Sequence, residues 1–424
     1  MSDSPTLSRR AVLGGFGVAA VAGAGGFAMG HRSAEAARDS NESDLHLAAA
    51  GLVPFHGAHQ AGIATPVQDR LLFGAFDLMT DDRQALVSLL RTWTASAEAL
   101  TQGRPVGSDD STPEAPPDDT GEAMGLSAAR LTLTFGFGPT IFTVGGRDRF
   151  GLADRRPAAL VDLPAFPGDD LDPGLSGGDL AVQVCADDPQ VAFHALRNLT
   201  RQAKGTAVLR WSEVGFGRTS TTTSGSSATP RNLQGFKDGT NNLRGDDATS
   251  MAKYVWADAS DGADWMAGGS YMITRRIRMF LETWDRSMLS DQEGTIGREK
   301  LSGAPLGGTA EHDPVDLAAR DAHGQLVVPA DAHIRLANHA TNDGVRILRR
   351  GYSFTDGVDQ VTGQLDGGLF FIAYQRDPRT GFIPLQQRLA AHDALNEYIV
   401  HTGSAVFACP PGVAPGGWIG EGLF

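Results

Sequence analysis

The chain reads LAVQVCADDPQVAFHALRNL from residue 180 to residue 199, and this stretch decides the fold class. Residues 180–185 form a short apolar run that ends before acidic residues, which is typical of a buried strand. Asp187-Asp188-Pro189 follows, and an acidic cap before a proline in the first helical turn indicates the start of a helix. Apolar residues then recur at the spacing of one helix face: Val191, Ala195 and Leu199.

Similar elements flank this stretch. Strand-like runs occur at residues 71–78, 131–137 and 207–211, and a helix with one apolar face follows Asp81-Asp82. The resulting order, strand–helix–strand–strand–helix–strand, predicts a ferredoxin-like unit with helices on one face of an antiparallel sheet.

A second half repeats this order less clearly. Its strongest strand-like runs lie at residues 270–279, 368–374 and 404–409. Because no close sequence repeat relates the two halves, the duplication is inferred from the order of elements alone. The chain is therefore predicted to be an α+β protein of two ferredoxin-like halves, with antiparallel sheets packed together as in a dimeric α+β barrel.

The boundaries follow from changes in composition. A Ser/Thr/Gly-rich run over residues 218–229 separates the halves. We predict an N-terminal half at 57–217 and a C-terminal half at 218–424. An export signal over residues 1–38 and a mobile segment over 39–56 precede them.

The composition excludes several classes of protein. The chain has 424 residues, of which 41% are hydrophobic and 20% charged, as in an ordinary globular protein of two subdomains. A net charge of -14 argues against a surface for nucleic acid or anionic lipid. Two cysteines, Cys185 and Cys409, cannot form a disulfide framework or a multi-cysteine metal site. One bridge between them is an alternative to the buried, inert thiols that their apolar surroundings favour.

The N-terminus has the pattern of a targeting segment. Ser8-Arg9-Arg10 precedes an uncharged run that is rich in Gly and Ala and reaches Gly30, and Ala34-Glu35-Ala36 offers small residues for cleavage. A transmembrane anchor is the alternative, but many glycines make a poor membrane span. We predict a twin-arginine export signal, which would place the mature protein outside the cytoplasmic membrane.

Three segments contain the residue types that redox chemistry at a bound cofactor requires. Gln234-Gly235-Phe236-Lys237-Asp238-Gly239-Thr240-Asn241 places one carboxylate between two glycines. The segment 333–338 reads His-Ile-Arg-Leu-Ala-Asn, and 349–354 reads Arg-Arg-Gly-Tyr-Ser-Phe. Each has a simpler interpretation: an Asp-Gly turn, a structural histidine and a basic strand edge.

Taken together, these segments resemble those of the dye-decolourising peroxidases, from about Gly57 to the C-terminus and closest to the branch exported by the twin-arginine route. The resemblance implies an exported haem peroxidase. It would hold haem b mainly in its C-terminal half and reduce hydrogen peroxide, while it oxidises organic donors such as phenolics and dyes in one-electron steps. The physiological donor stays open, as does a homo-oligomeric state.

By this resemblance His333 is the axial ligand of the haem iron, although His339 stands where the family often has proline. Asp238 moves a proton between the peroxide oxygens, and the arginine before Gly-Tyr-Ser, Arg350 rather than Arg349, stabilises the developing charge. Leu369 and Phe371 share one strand face and shape the distal pocket.

Further roles follow less directly from the resemblance. Arg276 or Arg278 would pair with a haem propionate, with a surface ion pair as the alternative. Glu397 would accept a hydrogen bond from His333, with Asp393 as the other candidate. Bulky donors would be oxidised at the surface by electrons that tunnel through aromatic residues; Tyr352 and Tyr374 are the candidates, with packing as the alternative role of each.

Two rival functions remain. An exported haem-handling protein in iron acquisition, of the deferrochelatase kind, would bind haem at His333 without depending on Asp238 or Arg350 for turnover. A binding module without a cofactor would stay colourless when purified.

Overall fold

The computed structural model describes residues 51–108, 112–218 and 229–424. The predicted export signal over residues 1–38 therefore lies outside the described residues, as does most of the predicted mobile segment 39–56. Within the described ranges, every helix is either too short or too polar to cross a membrane.

The described chain contains eleven strands and seven α-helices. The strands are β1 Arg70–Leu78, β2 Thr132–Phe137, β3 Thr143–Val144, β4 Arg147–Asp148, β5 Leu180–Ala186, β6 Ala207–Arg218, β7 Ser270–Met279, β8 Leu348–Arg349, β9 Tyr352–Val358, β10 Leu365–Gln375 and β11 Ile399–Cys409. The helices are α1 Arg83–Thr101, α2 Pro189–Gln202, α3 Ala248–Tyr254, α4 Leu281–Trp284, α5 Leu289–Ile296, α6 His333–Leu336 and α7 Phe382–His392. The start of α2 is as predicted, because the Asp188 carboxylate accepts hydrogen bonds from the N–H groups of Gln190 and Val191.

Eight of these strands close into an antiparallel barrel. Their order is β7-β11-β2-β5-β1-β6-β9-β10, and β10 pairs in turn with β7. The N-terminal half supplies β2-β5-β1-β6 and the C-terminal half supplies β9-β10-β7-β11, which is the ferredoxin-like strand order twice. The predicted α+β fold is therefore confirmed.

The two sheets join at their edges. Ala408 on β11 pairs with Phe137 on β2, and Phe216 on β6 pairs with Ser353 on β9. This edge pairing satisfies backbone groups that two separate sheets would leave open. Helices α1 and α2 cover the outer face of the N-terminal half, so the wall there is packed on both sides.

Large side chains fill the barrel interior. The Phe73 ring lies 5.3 Å from that of Phe370 and 6.2 Å from that of Phe407, measured between centroids. Cys185 and Cys409 are buried in the same core and are free thiols, as their apolar surroundings predicted. Burial raises the pKa of the Cys185 thiol, which keeps it protonated and inert.

One end of the barrel holds an ionic cluster that corrects a prediction. Arg276 donates from Nε to Glu213 at 3.0 Å and from Nη2 to Asp366 at 3.2 Å, and Arg278 donates to Asp359 at 2.7 Å. Alternation along β7 turns both arginines away from the C-terminal cavity described below. The assignment of Arg276 or Arg278 to a haem propionate is therefore wrong.

Glu213 should make stability depend on pH. Burial raises its pKa from an ordinary 4.5 to about 7, and although Arg276 opposes this shift, the Asp356 and Asp366 charges add to it. An acid with a raised folded-state pKa contributes stability that is complete below pH 4.5 and lost as pH rises to about 7. Glu213→Gln should remove this loss, which amounts to at most about 3 kcal/mol.

The measurement is chemical denaturation of wild type and Glu213→Gln between pH 5 and pH 8. The wild type should lose more unfolding free energy over this range than the variant does. Exposed Glu397→Gln is the matched control and should follow the wild type. Parallel profiles for wild type and Glu213→Gln would show that Glu213 is not the group responsible.

Candidate active site

A cavity of about 240 Å³ lies against the outer face of the C-terminal sheet. Ile277 and Met279 on β7 and Leu369 and Phe371 on β10 form its sheet wall. Helix α7 and the loop at 234–243 form further walls. Leu369 and Phe371 thus share one face and line the cavity, as the alternation predicted.

Asp238 stands on a tight turn at the cavity wall. Its backbone N–H donates to the Pro230 carbonyl at 2.9 Å, which closes a small hairpin around residues 230–238. Gly239 follows with a φ of +99°, a conformation that residues with a Cβ rarely adopt. The glycine after Asp238 is therefore required by the turn that aims the carboxylate into the cavity.

Arg349 is the cation that meets this carboxylate. Its Nη1 donates to Asp238 Oδ1 at 2.6 Å, and both side chains line the cavity. Asn242 holds the Arg349 backbone from both sides, because its amide donates to the Arg349 carbonyl at 2.8 Å and accepts from the Arg349 N–H at 2.9 Å. Asn242 was not singled out from the sequence, although it lies one residue beyond the quoted motif.

Arg350 lies on the other side of the wall, and its predicted distal role is wrong. It is fully buried, and its guanidinium donates to the Thr65 carbonyl and to the side chain of Gln68. Side chains alternate between the two faces of the wall along residues 348–350. Leu348 packs in the barrel core, so Arg349 faces the cavity and Arg350 faces the core again.

His333 begins the short helix α6 and faces the cavity with a third of its side chain accessible, at 34%. Its Nδ1 lies 2.6 Å from Asp393 Oδ2. Since an ionised carboxylate only accepts, Nδ1 carries the proton and the Nε2 lone pair is left for a metal. Burial disfavours the charged ring, but the Asp393 charge and hydrogen bond outweigh it and raise the pKa of His333.

Asp393, not Glu397, is the acid beside His333. Asp393 is buried and its Oδ1 caps the turn Ala394–Glu397 by accepting from the Leu395 N–H at 2.9 Å. One carboxylate thus fixes both the turn and the imidazole, whereas Glu397 at the far end of the turn is exposed. The sequence interpretation that preferred Glu397 is corrected in favour of its alternative.

Neither tyrosine proposed as a surface oxidation site is at the surface. Tyr352 and Tyr374 are fully buried in the barrel interior. The Tyr374 hydroxyl donates to Gln183 Oε1 at 3.0 Å. Burial raises the pKa of both phenols well above the ordinary value. A bulky donor cannot reach either ring.

The donor set fits a haem. Within the described ranges, no three His, Cys, Asp or Glu side chains are arranged to hold a metal ion. The Nε2 lone pair of His333 is the kind of single protein ligand that a haem iron takes. Apolar walls suit the macrocycle, and the more exposed residues Asn241, His339 and Arg346 give the cavity a polar rim.

Comparison with known proteins gives concordant matches for both halves. The family model described as Dyp-type peroxidase, N-terminal, matches residues 60–217, and the one described as Dyp-type peroxidase, C-terminal, matches residues 229–414.

Named relatives and a solved structure cover most of the chain. A dye-decolorizing peroxidase of Thermobifida fusca is 40% identical, over 98% of this chain and 97% of the relative. A deferrochelatase of Escherichia coli is 41% identical, over 85% of this chain and 84% of the relative. The oxyferrous complex of DtpA from Streptomyces lividans superposes with a TM-score of 0.80 at 41% identity, covering 89% of this chain and 99% of that one.

Proposed function

The chain belongs to the Dyp-type peroxidase family and is a haem peroxidase, and from this premise we propose that Asp238, Arg349 and His333 carry its reaction. Hydrogen peroxide is the oxidant, and organic donors such as phenolics and dyes supply electrons one at a time. One observation supports these assignments: the Asp238–Arg349 ion pair and the hydrogen-bonded His333–Asp393 pair line the same cavity.

His333 binds and orients the cofactor in this proposal. Its Nε2 would ligate the iron, while Asp393 fixes the tautomer and makes the imidazole a stronger electron donor. The haem, which we propose is haem b, would supply the two electrons that split the peroxide and would recover them singly from the donor. The sheet wall of Leu369 and Phe371 keeps the cavity apolar and excludes water.

Asp238 moves the proton. Its carboxylate would take a proton from one peroxide oxygen and return it to the other, which would leave as water. Arg349 stays protonated throughout and stabilises the negative charge that develops as the O–O bond breaks. The 2.6 Å contact between the two side chains holds the carboxylate in position.

Arg349→Leu should therefore lower the second-order rate constant for hydrogen peroxide roughly 100- to 1000-fold, the usual loss for one charge-stabilising donor. Stopped-flow absorbance of the haem band measures it. Arg376→Leu is the matched control, because Arg376 pairs with Asp261 at 2.7 Å outside the cavity.

Arg350→Leu should lower the melting temperature and leave the rate constant of folded protein within a few fold. The reverse pattern would restore Arg350 as the distal cation.

Asp393→Asn should weaken haem binding by roughly 10- to 100-fold, because a metal-ligating histidine depends on its hydrogen-bonded carboxylate. Equilibrium titration of the apoprotein with haemin measures the dissociation constant. Glu397→Gln should behave as wild type, since Glu397 is exposed. Equal effects of the two substitutions would contradict the assignment of Asp393.

A second function is favoured by the deferrochelatases among the relatives, one of them 41% identical. In this alternative the protein releases iron from haem and leaves the porphyrin intact. Peroxide turnover through Asp238 and Arg349 would then be incidental.

One experiment separates the two functions. Haem-loaded protein is given either hydrogen peroxide with a dye or a reductant without peroxide, and free iron and protoporphyrin are measured by chromatography. A peroxidase bleaches the dye, loses this activity in Arg349→Leu and yields no protoporphyrin. Protoporphyrin at equal rates in wild type and Arg349→Leu would favour iron release.

We further propose that residues 1–38 direct export of the folded holoprotein by the twin-arginine machinery, so that it acts outside the cytoplasmic membrane. Arg9 and Arg10 before an uncharged run support this. Changing both to lysine should retain the protein in the cytoplasm of the producing cell, as measured by fractionation; unchanged export would contradict the proposal.

A further inference from the structure

Arg298 is a buried cation in the cavity wall that the proposed reaction does not use. It follows α5 closely in the chain, and only 7% of its surface is exposed. It lines the same cavity as Asp238 and His333. Burial lowers the pKa of Arg298, the Glu311 charge opposes this shift and the Arg349 charge adds to it, although a guanidinium stays protonated at any physiological pH.

The backbone fixes the position of this charge without neutralising it. Arg298 Nη1 donates to the Gly303 carbonyl at 2.7 Å and to the Glu311 carbonyl at 3.0 Å. These two bonds hold the loop between residues 303 and 311 against the end of α5. The guanidinium is therefore preorganised, and little side-chain freedom remains to be lost when a ligand binds.

No described carboxylate pairs with Arg298. The Glu311 carboxylate acts on Arg298 only through space, because it is bound to Lys237 and to Thr240, the latter at 3.1 Å. A buried charge without a hydrogen-bonded counter-ion is costly, and proteins usually keep one only where a ligand or substrate completes it.

Two sets of donors on the Arg298 guanidinium remain. Throughout the described part of the chain, Arg298 Nε and Nη2 have no hydrogen-bond partner. They are also not sealed off, unlike Nε of Arg275 and of Arg350, which are enclosed by protein. Nε and Nη2 form the side of the guanidinium fork that matches the two oxygens of a carboxylate.

We propose that Arg298 is the carboxylate-binding residue of this cavity and takes its ligand side-on through Nε and Nη2. The inference rests on the proposed function, because the haem that occupies the cavity brings two propionate groups. One propionate pairs with Arg298 and so sets the rotation of the macrocycle over His333. A small carboxylate that enters beside the haem is the other source of the same chemistry.

The test titrates purified apoprotein with haemin and with haemin dimethyl ester, in which both carboxylates are blocked. Dissociation constants come from the haem absorption band and from quenching of tryptophan fluorescence. Arg298→Met removes the charge, and Arg298→Lys keeps a charge without the fork. Arg320→Met is the matched control, since Arg320 also donates to a carbonyl, that of Gly324 at 2.7 Å, but is exposed and does not line the cavity.

Haemin should bind Arg298→Met roughly 10- to 100-fold more weakly than wild type, as expected for loss of a charge-assisted hydrogen bond. The ester should bind both proteins alike, and Arg298→Lys should recover part of the haemin affinity. The haem band of wild-type and Arg298→Met holoprotein is also recorded with and without acetate or benzoate. If these anions shift the band in wild type but not in the variant, and haemin affinity is unchanged, the small carboxylate is the source.

Two outcomes overturn the inference. Equal weakening of haemin and of its ester in Arg298→Met means that Arg298 acts only through its loop. Unchanged haemin binding together with an unchanged acetate response means that no carboxylate binds there. Failure of the wild type to bind haemin at all would sink the proposed function instead, so the two failures are distinguishable.

Discussion

Purified His333→Ala should contain no haem and show no visible absorption band, while its far-ultraviolet circular dichroism matches that of wild type. Nε2 is the protein ligand of the iron in our proposal, and the helix that carries His333, α6, is four residues long. The substitution removes the ligand and leaves the hydrogen-bonded turn at Asp393 in place. Added imidazole should restore a haem band, because it fills the space of the missing ring.

His401 is the matched control for this experiment. It also lines the cavity, and burial together with the Arg275 charge lowers its pKa to about 3, so it is neutral and chemically able to ligate iron. His401→Ala should keep the haem band. If the band persisted in His333→Ala and disappeared in His401→Ala, the ligand would be His401 and the proposed arrangement of the site would be reversed.

The second large effect concerns the proton. Asp238→Asn keeps the size and the turn of the wild-type residue but cannot accept a proton, so the rate constant for hydrogen peroxide should fall roughly 100- to 10,000-fold. The haem affinity should change little, since Asp238 is not a ligand. Stopped-flow mixing of the holoprotein with peroxide measures the rate, and the resting spectrum confirms that the cofactor is present.

Asp261→Asn provides the comparison, because Asp261 also pairs with an arginine at 2.7 Å yet lies away from the cavity. Its rate should equal that of wild type. A normal rate in Asp238→Asn would assign proton transfer to another group. Arg349→Leu in the same series would then show whether charge stabilisation alone supports the reaction.

Local sequence was sufficient for several features of this protein. The capped helix at Pro189, the apolar strands and the order of elements predicted two ferredoxin-like halves, because periodicity and capping are properties of neighbouring residues. The turn at Asp238 was predictable for the same reason. Glycine is favoured where φ is positive, and residue 239 has a positive φ. Leu369 and Phe371 could be placed on one face from alternation alone.

Other features needed the register between strands. Arg349 and Arg350 are adjacent and chemically identical, and only the pairing of Arg349 with Ala373 on β10 decides which of them faces the cavity. Arg276 and Arg278 alternate along β7 and therefore share a face, but no local feature of the sequence indicates on which side of the barrel wall that face lies. Register depends on contacts between residues far apart in the chain.

The sequence by itself determined the fold class, the acid in its glycine turn and the candidate imidazole, because each depends on the backbone within a few residues. Only the tertiary structure decided that Arg349 meets Asp238, that Asp393 holds His333 and that Arg298 lines the cavity without a carboxylate partner. Arg349 and Asp238 are 111 positions apart in the chain, and His333 and Asp393 are 60 apart. Strand pairing and barrel closure bring such residues together, and no periodicity in the chain records that closure.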